Sequence, residues 1–468
     1  MSEIADLLEY ALRKAEKLGA SFADARYQEY SYENIVVDNR VLKSYSSTKS
    51  TGIGVRVIAN KTWGFSSTTE LTKEAVKRAV EKAVKITSAA AGKSRPSALP
   101  ERKARKQDEK SKWLKDPFQV DPEEKVKFVL EAHEGAWIGS EIVSSYTRLG
   151  LQKDYRHYMS TDGVDVSTTV VLVGVAQVSV ARINGNMERV PYSESKVAGY
   201  EYIESRDWSQ FTGEISQLAV DVAKAKTPSP GTYPVVVDPE VIGLLLHEAF
   251  GHASEGDLVE KGDSVLVGML GKKVASDLVT IIDDGLVEGG YYVPFDDEGT
   301  EKRPVTVVER GVLKSYLHSF ETAERLGGEP TGNGRAQDFN NMPIVRQTNY
   351  YMKPGDMSFE ELIEDIDYGF YIKGRGATGG QVDTGMGTFT FSVGPSYIIE
   401  KGELKELVRG VTISGLILET LKTIDGVGKD FQVRTSVFGG CGKSGQMVRV
   451  GDGGPHVRVR KMTVGGAR

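Results

Sequence analysis

Only one cysteine, Cys441, occurs among the 468 residues. No disulfide can form within the chain, and such usage suits a reducing compartment. Long apolar runs are missing as well: no stretch approaches the roughly 18 apolar residues that a membrane helix needs. Charge of one sign is also lacking, since 59 Lys and Arg face 65 Asp and Glu for a net charge of −6. Nothing electrostatic therefore recruits nucleic acid or an anionic membrane. The opening stretch MSEIADLLEYALRKAEKLGA spaces Ile4, Leu7, Leu8, Ala11, Leu12, Ala15 and Leu18 at helical period. It lacks the basic start and unbroken apolar run of a secretory signal, so a cytoplasmic protein is expected.

What is present is a globular composition, 39% hydrophobic and 26% charged, in a chain long enough for about three domains. The pattern predicts an α+β protein: an α/β N-terminal domain, a β-rich middle, and a large β-rich C-terminal domain that carries a candidate metal-binding helix. Residues 1–87 read as α-β-α, with helical period returning in LTKEAVKRAVEKAVKIT. Residues 88–117 hold little apolar content and mix both charge signs, which predicts an exposed linker. Residues 118–226 start a helix at Asp121-Pro122 and continue as strands with hairpin turns at Asp162-Gly163 and Asn184-Gly185. Residues 232–468 open on a short apolar strand, then Asp238 and Pro239 as the start of a helix.

That helix bears LLLHEAFGHASEGD, residues 244–257, with His247, Glu248 and His252. At about 100° per residue, histidines four apart lie roughly 40° apart on a helix and can share a metal, whereas five apart they lie roughly 140° apart and cannot. A wider, π-like turn restores the geometry, and Gly251 is a residue that tolerates such distortion. The alternative is a packed helix with two hydrogen-bonded histidines. A catalytic zinc wants a third protein ligand. His133, His157, His318, Glu255, Asp257 and Cys441 are the candidates, with His318 placed in a helix LKSYLHSFETAERLG and Cys441 among Gly439, Gly440 and Gly442.

Five blocks in order, HEAFGHASEGD at 247–257, FDDEGT at 295–300, TGNGR at 331–335, GGQVDTGMGTF from Gly379, and CGKSGQ at 441–446, resemble the TldD/PmbA family of metallopeptidases. The chain keeps every element of the catalytic, TldD-like branch. The resemblance implies Zn2+ held by His247, His252 and Cys441, with Glu248 as general base. It also implies a dimer, either of identical chains or with a PmbA-like (TldE-like) paralogue. The expected function is zinc-dependent hydrolysis of peptide bonds in peptides or unfolded proteins, without nucleic-acid or membrane partners. A non-catalytic peptide-binding or scaffold subunit is the rival, and a hydrolase of small non-peptide substrates a third reading. Thr331, Asn333 and Arg335 are expected in a polar loop that holds a substrate carbonyl or terminus. Gly380 is expected on a strand edge that pairs with a peptide, although a buried hairpin fits the same block. Asp296, Asp297 and Glu298 suit either the orientation of ligands or the capping of a turn.

Overall fold

A computed structural model describes residues 2–92 and 97–466. Helix α1 (Ser2–Lys17) buries Leu7, Leu8, Ala11 and Ala15, the stripe its period predicts. The stripe packs on β1 (Phe22–Asp38) and β2 (Val41–Ala59), beside α2 (Lys73–Ala90), whose Val76, Val80 and Ala83 complete the cluster. β3 (Thr62–Thr68) closes this edge of the sheet on β2. Thr72 starts α2 by accepting a hydrogen bond from the Ala75 amide.

The stretch predicted to be a linker contributes a strand. β4 (Arg105–Lys110) runs parallel to β6 (Val164–Ile183). Its side chains are mostly exposed, so its polar composition resembles that of a loop, while its backbone is held by the ladder. Residues 93–96 of that stretch lie outside the described residues. Asp121 caps α3 (Pro122–Glu134) as expected, and β5 (Ile142–Ser160) and β6 follow, joined at Asp162-Gly163. Asn184 and Gly185, both at positive φ, turn the chain from β6 into β7 (Asn186–Lys196).

The N-terminal and middle segments share one seven-stranded sheet in the order β3-β2-β1-β5-β6-β4, with β7 also on β6. β1 pairs with β5 from Asp24↔Ser160 to Asp38↔Tyr146, so the strand boundary between the two segments is a continuous ladder. Helix α4 (Glu201–Glu204) and α5 (Trp208–Lys224) then cover the middle segment's core through Trp208, Phe211 and Ile215.

The C-terminal segment builds two further sheets. β8 (Gly231–Val237) is central in a nine-stranded sheet whose far edge is the strand Gly379–Asp383. A six-stranded sheet contains Ile281–Asp283, Asn349–Met352, Gly451–Gly454 and Gln432–Thr435. Helix α5 is followed in sequence by β8 and then α6 (Pro239–Leu245). Val241, Ile242, Leu245, Leu246 and Phe250 bury into a single core with side chains from both sheets. No helix among the described residues is long and apolar enough to cross a membrane.

Candidate metal centre

The Asp238 carboxylate accepts the Val241 amide at 2.9 Å and the Gly374 amide at 2.9 Å, which ties the start of α6 to the neighbouring strand connection. Pro239 occupies the first helical position, where its missing N–H costs nothing. The helix then widens. Residues Leu246–Gly251 form a π turn in which the His252 amide bonds the His247 carbonyl, five residues back. The same carbonyl also accepts from Gln347 Nε2 at 3.0 Å. A Cβ on Gly251 would lie 2.1 Å from Gln347 Oε1, so only glycine lets Gln347 cross this turn. The extra residue per turn brings the rings of His247 and His252 onto one side, with centroids 5.3 Å apart.

Cys441 arrives from a two-stranded ribbon in which Cys441–Lys443 pairs with Gln446–Val448 around a turn at Ser444 and Gly445. The fully buried Arg346 donates to the carbonyls of Cys441 and Gln446 and so fixes this ribbon. The result is a cluster in which one donor atom each from His247, His252 and Cys441 lies within 4.8 Å of the others. Cys441 Sγ is 3.1 Å from His252 Nε2. Burial by itself raises the Cys441 thiol, but the two imidazoles outweigh it and bring the thiol down to about 4. Buried His247 Nδ1 has no protein partner. Two imidazoles and a thiolate, with an orphaned ring nitrogen, are a donor set suited to zinc with one position left open.

Glu248 Oε2 stands 4.0 Å from His252 Nε2, and its side chain is 36% exposed, the least buried of the four motif residues. It borders a cavity of about 440 Å³ together with His247, Cys441, Arg434 and Asp452. Gln177 and Tyr192 of β6 and β7 form another wall, so the middle segment helps to enclose the site. Gly376, Ala377 and Gly379 line it as well, and Gly379 begins the edge strand of the nine-stranded sheet. Gly380 lies on this exposed strand, where a Cβ would fall 2.1 Å from the Thr390 carbonyl of the adjacent strand.

The other candidate ligands stay apart. His133 bonds Thr147, His157 pairs with Asp165, and His318 precedes the helix Phe320–Leu326 instead of lying within it. A capping box at Ser319 starts that helix at Phe320, seven residues after the Leu313 that opens the expected stretch. Glu255 is not in the donor cluster but behind it, with Oε2 3.1 Å from His252 Nδ1. Asp257 pairs with Lys443 at 2.6 Å. Sequence reasoning did not single out Arg346, Gln347 or Lys443, because their roles appear only once distant segments meet.

Thr331, Asn333 and Arg335, expected in a loop that holds a substrate carbonyl or terminus, do not line the cavity that Glu248 borders. Thr331 Oγ1 accepts the His318 amide at 2.6 Å. Asn333 is fully buried and bonds Lys302, Asp283 and the Arg346 carbonyl. Arg335 donates to the carbonyls of Gln347 and Arg449, both at 2.6 Å. Their polar groups are engaged internally, so they brace the loops around the site. The FDDEGT block joins the N-terminal sheet to the C-terminal segment. Asp297 pairs with Arg156 at 2.6 Å, and Glu298 pairs with Arg56 at 2.8 Å and accepts the Phe320 amide. Asp296 accepts the amides of Glu298, Thr300 and Gly334, which shapes the turn.

Comparison with known proteins decides the family. The family model of the PmbA/TldA metallopeptidase C-terminal domain matches residues 230–466, about half of the chain, and those of domain 1 and the central domain match residues 23–87 and 115–227. The chain belongs to the PmbA/TldD metallopeptidase family. A metalloprotease of Methanothermobacter thermautotrophicus is 38% identical, over 95% of this chain and 95% of that protein. The zinc metalloprotease TldD homolog of Saccharolobus solfataricus is 32% identical, over 97% and 99% of the two chains. Among solved structures, a putative modulator of DNA gyrase from Thermotoga maritima matches with a TM-score of 0.80 at 23% identity, over 98% of this chain and all of that one. TldE from Thermococcus kodakarensis matches with a TM-score of 0.79 at 20% identity, over 98% and 100%. At these identities the two structures establish the shared α+β fold alone.

Proposed function

We propose that this family member is a zinc-dependent peptidase that hydrolyses peptide bonds in short peptides or unfolded proteins. The observation that carries the reading is the convergence of the His247, His252 and Cys441 donor atoms beside a cavity that His247, Cys441 and Glu248 line. The name of the Saccharolobus solfataricus relative supports zinc as the metal. A zinc ion bound by these three residues supplies Lewis acidity that makes water nucleophilic near neutral pH. Glu248, beside the first histidine and not itself in the donor set, takes the proton from the attacking water and returns it to the leaving amine.

The substrate reading rests on the edge strand. Gly379–Asp383 pairs on one side with Thr388–Ser392 and ends the nine-stranded sheet, and Gly379 borders the same cavity as Glu248. A chain laid along this edge, past Gly380, gains backbone hydrogen bonds and needs no particular side chains. Extended peptides are therefore cleaved with loose sequence preference, and stable folded proteins resist. The partner is a second copy of this chain or a TldE-like chain. The test is metal analysis combined with cleavage of an unstructured peptide by the purified chain, with and without a chelator. A metal stoichiometry near one with chelator-sensitive cleavage is expected. Bound metal without cleavage, in the presence of either partner, favours a non-catalytic subunit.

A further inference from the structure

We infer that Glu255 and Lys443 are positioning residues that together set the geometry of the metal donors, an inference that rests on the zinc reading of the site. Glu255 is fully buried, and its Oε2 accepts from both His252 Nδ1 at 3.1 Å and Lys443 Nζ at 2.8 Å. His252 is thereby held in the tautomer and ring orientation that turn Nε2 toward Cys441 Sγ, 3.1 Å away.

Lys443 carries the constraint to the third donor. It stands two residues after Cys441 in the same strand, and residues i and i+2 of a strand project to the same face. Its ammonium uses all three hydrogens on fixed acceptors: Glu255, Asp257 at 2.6 Å, and the Val345 carbonyl at 3.0 Å. Seating Lys443 on the tail of the histidine motif therefore faces Cys441 toward His252. The two donors lie 189 positions apart in the chain, and this ion-paired bridge registers one against the other. The ammonium also compensates a carboxylate that would otherwise be buried without a counter-charge.

The experiment measures zinc affinity by competition with a chelator and the absorption spectrum of the cobalt-loaded protein, in the full chain. Glu255→Ala and Lys443→Met are each expected to weaken zinc binding about 10- to 100-fold and to alter the thiolate-to-cobalt band, which reports the Cys441–metal bond. Glu255→Gln keeps an acceptor for Nδ1–H and is expected to recover most of the Glu255→Ala loss. The Glu255→Ala/Lys443→Met pair is expected to be little worse than the weaker single variant, because both residues act through one bridge. Affinity and spectrum unchanged in both single variants, or Glu255→Gln no better than Glu255→Ala, overturns the inference while leaving the zinc reading intact. A wild-type chain that takes up no metal overturns both.

Discussion

Two polar clusters of the C-terminal segment, residues 247–257 and residues 295–335, look equally functional as strings of letters. In the first, His247, His252 and Cys441 converge, the Glu248 side chain remains 36% exposed to a cavity, and His247 Nδ1 has no partner. In the second, Asn333 is bonded on both ends of its amide, Asp297 lies against Arg156 and the Ala336 amide, and Glu298 lies between Arg56 and the Phe320 amide. The difference teaches that a polar motif points to metal chemistry when its donor atoms converge within reach of one ion, as those of the first cluster do. Where the protein satisfies them internally, the motif holds segments together.

The comparison breaks first at Arg56. It pairs with both Asp24 and Glu298, all three side chains being 4% exposed. Arg56→Met leaves two carboxylates buried without their partner, and is expected to cost about 3–5 kcal/mol of stability. Denaturant unfolding reads the loss, and zinc stoichiometry of the folded protein is expected to be unchanged. A loss of metal instead would make the second cluster part of the metal centre.

Cys441→Ala is expected to do the opposite, weakening zinc binding by about 10²–10³-fold at modest cost to folding, since one of three protein ligands is removed. Full metal content in this variant would return Cys441 to a structural role. Within the same cluster, Glu248→Gln separates base from ligand: metal content stays near wild type while turnover falls at least ~100-fold. Retained turnover in the metal-loaded variant removes Glu248 from the mechanism.

The smallest effect concerns His318, which belongs to the second cluster through its backbone bonds to Thr331 and Asn333. Burial depresses its ring from 6.5 to about 4. The unfolded chain then binds more protons between those values, so this contribution is present above pH 6.5 and is lost as pH falls toward 4. The fall is about 3 kcal/mol. His318→Gln should flatten that part of the stability curve, and parallel curves for wild type and variant would show that the buried ring is charged in the folded protein.

Local patterns were legible wherever one element decides its own form. The apolar stripe of α1, the Asp121-Pro122 and Asp238-Pro239 starts and the Asn184-Gly185 hairpin all appear as the residues predict, because capping, period and positive φ act over a few residues. The five-residue histidine spacing was legible too, since a regular helix cannot bring such a pair together and the π turn is the distortion it demands. The strand β4 within the polar stretch 88–117 was not legible, because an edge strand needs little apolar surface, and the helix containing Phe320 begins later than expected because Ser319 caps it.

By itself, then, the sequence determined the element starts, the turns, the family blocks and the need for a wide turn between His247 and His252. Tertiary structure alone decided that Glu255 stands behind His252 and not among the donors, that Lys443 bridges the two sides of the site, and that Asn333 and Arg335 serve internal bonds. Those outcomes depend on which atoms remain unsatisfied once the chain has packed: Lys443 reaches Glu255 across 188 positions, whereas Asn333 and Arg335 bond residues 13 and 12 positions on. Neither kind of partner follows from helix or strand period, because irregular loops bring these atoms together.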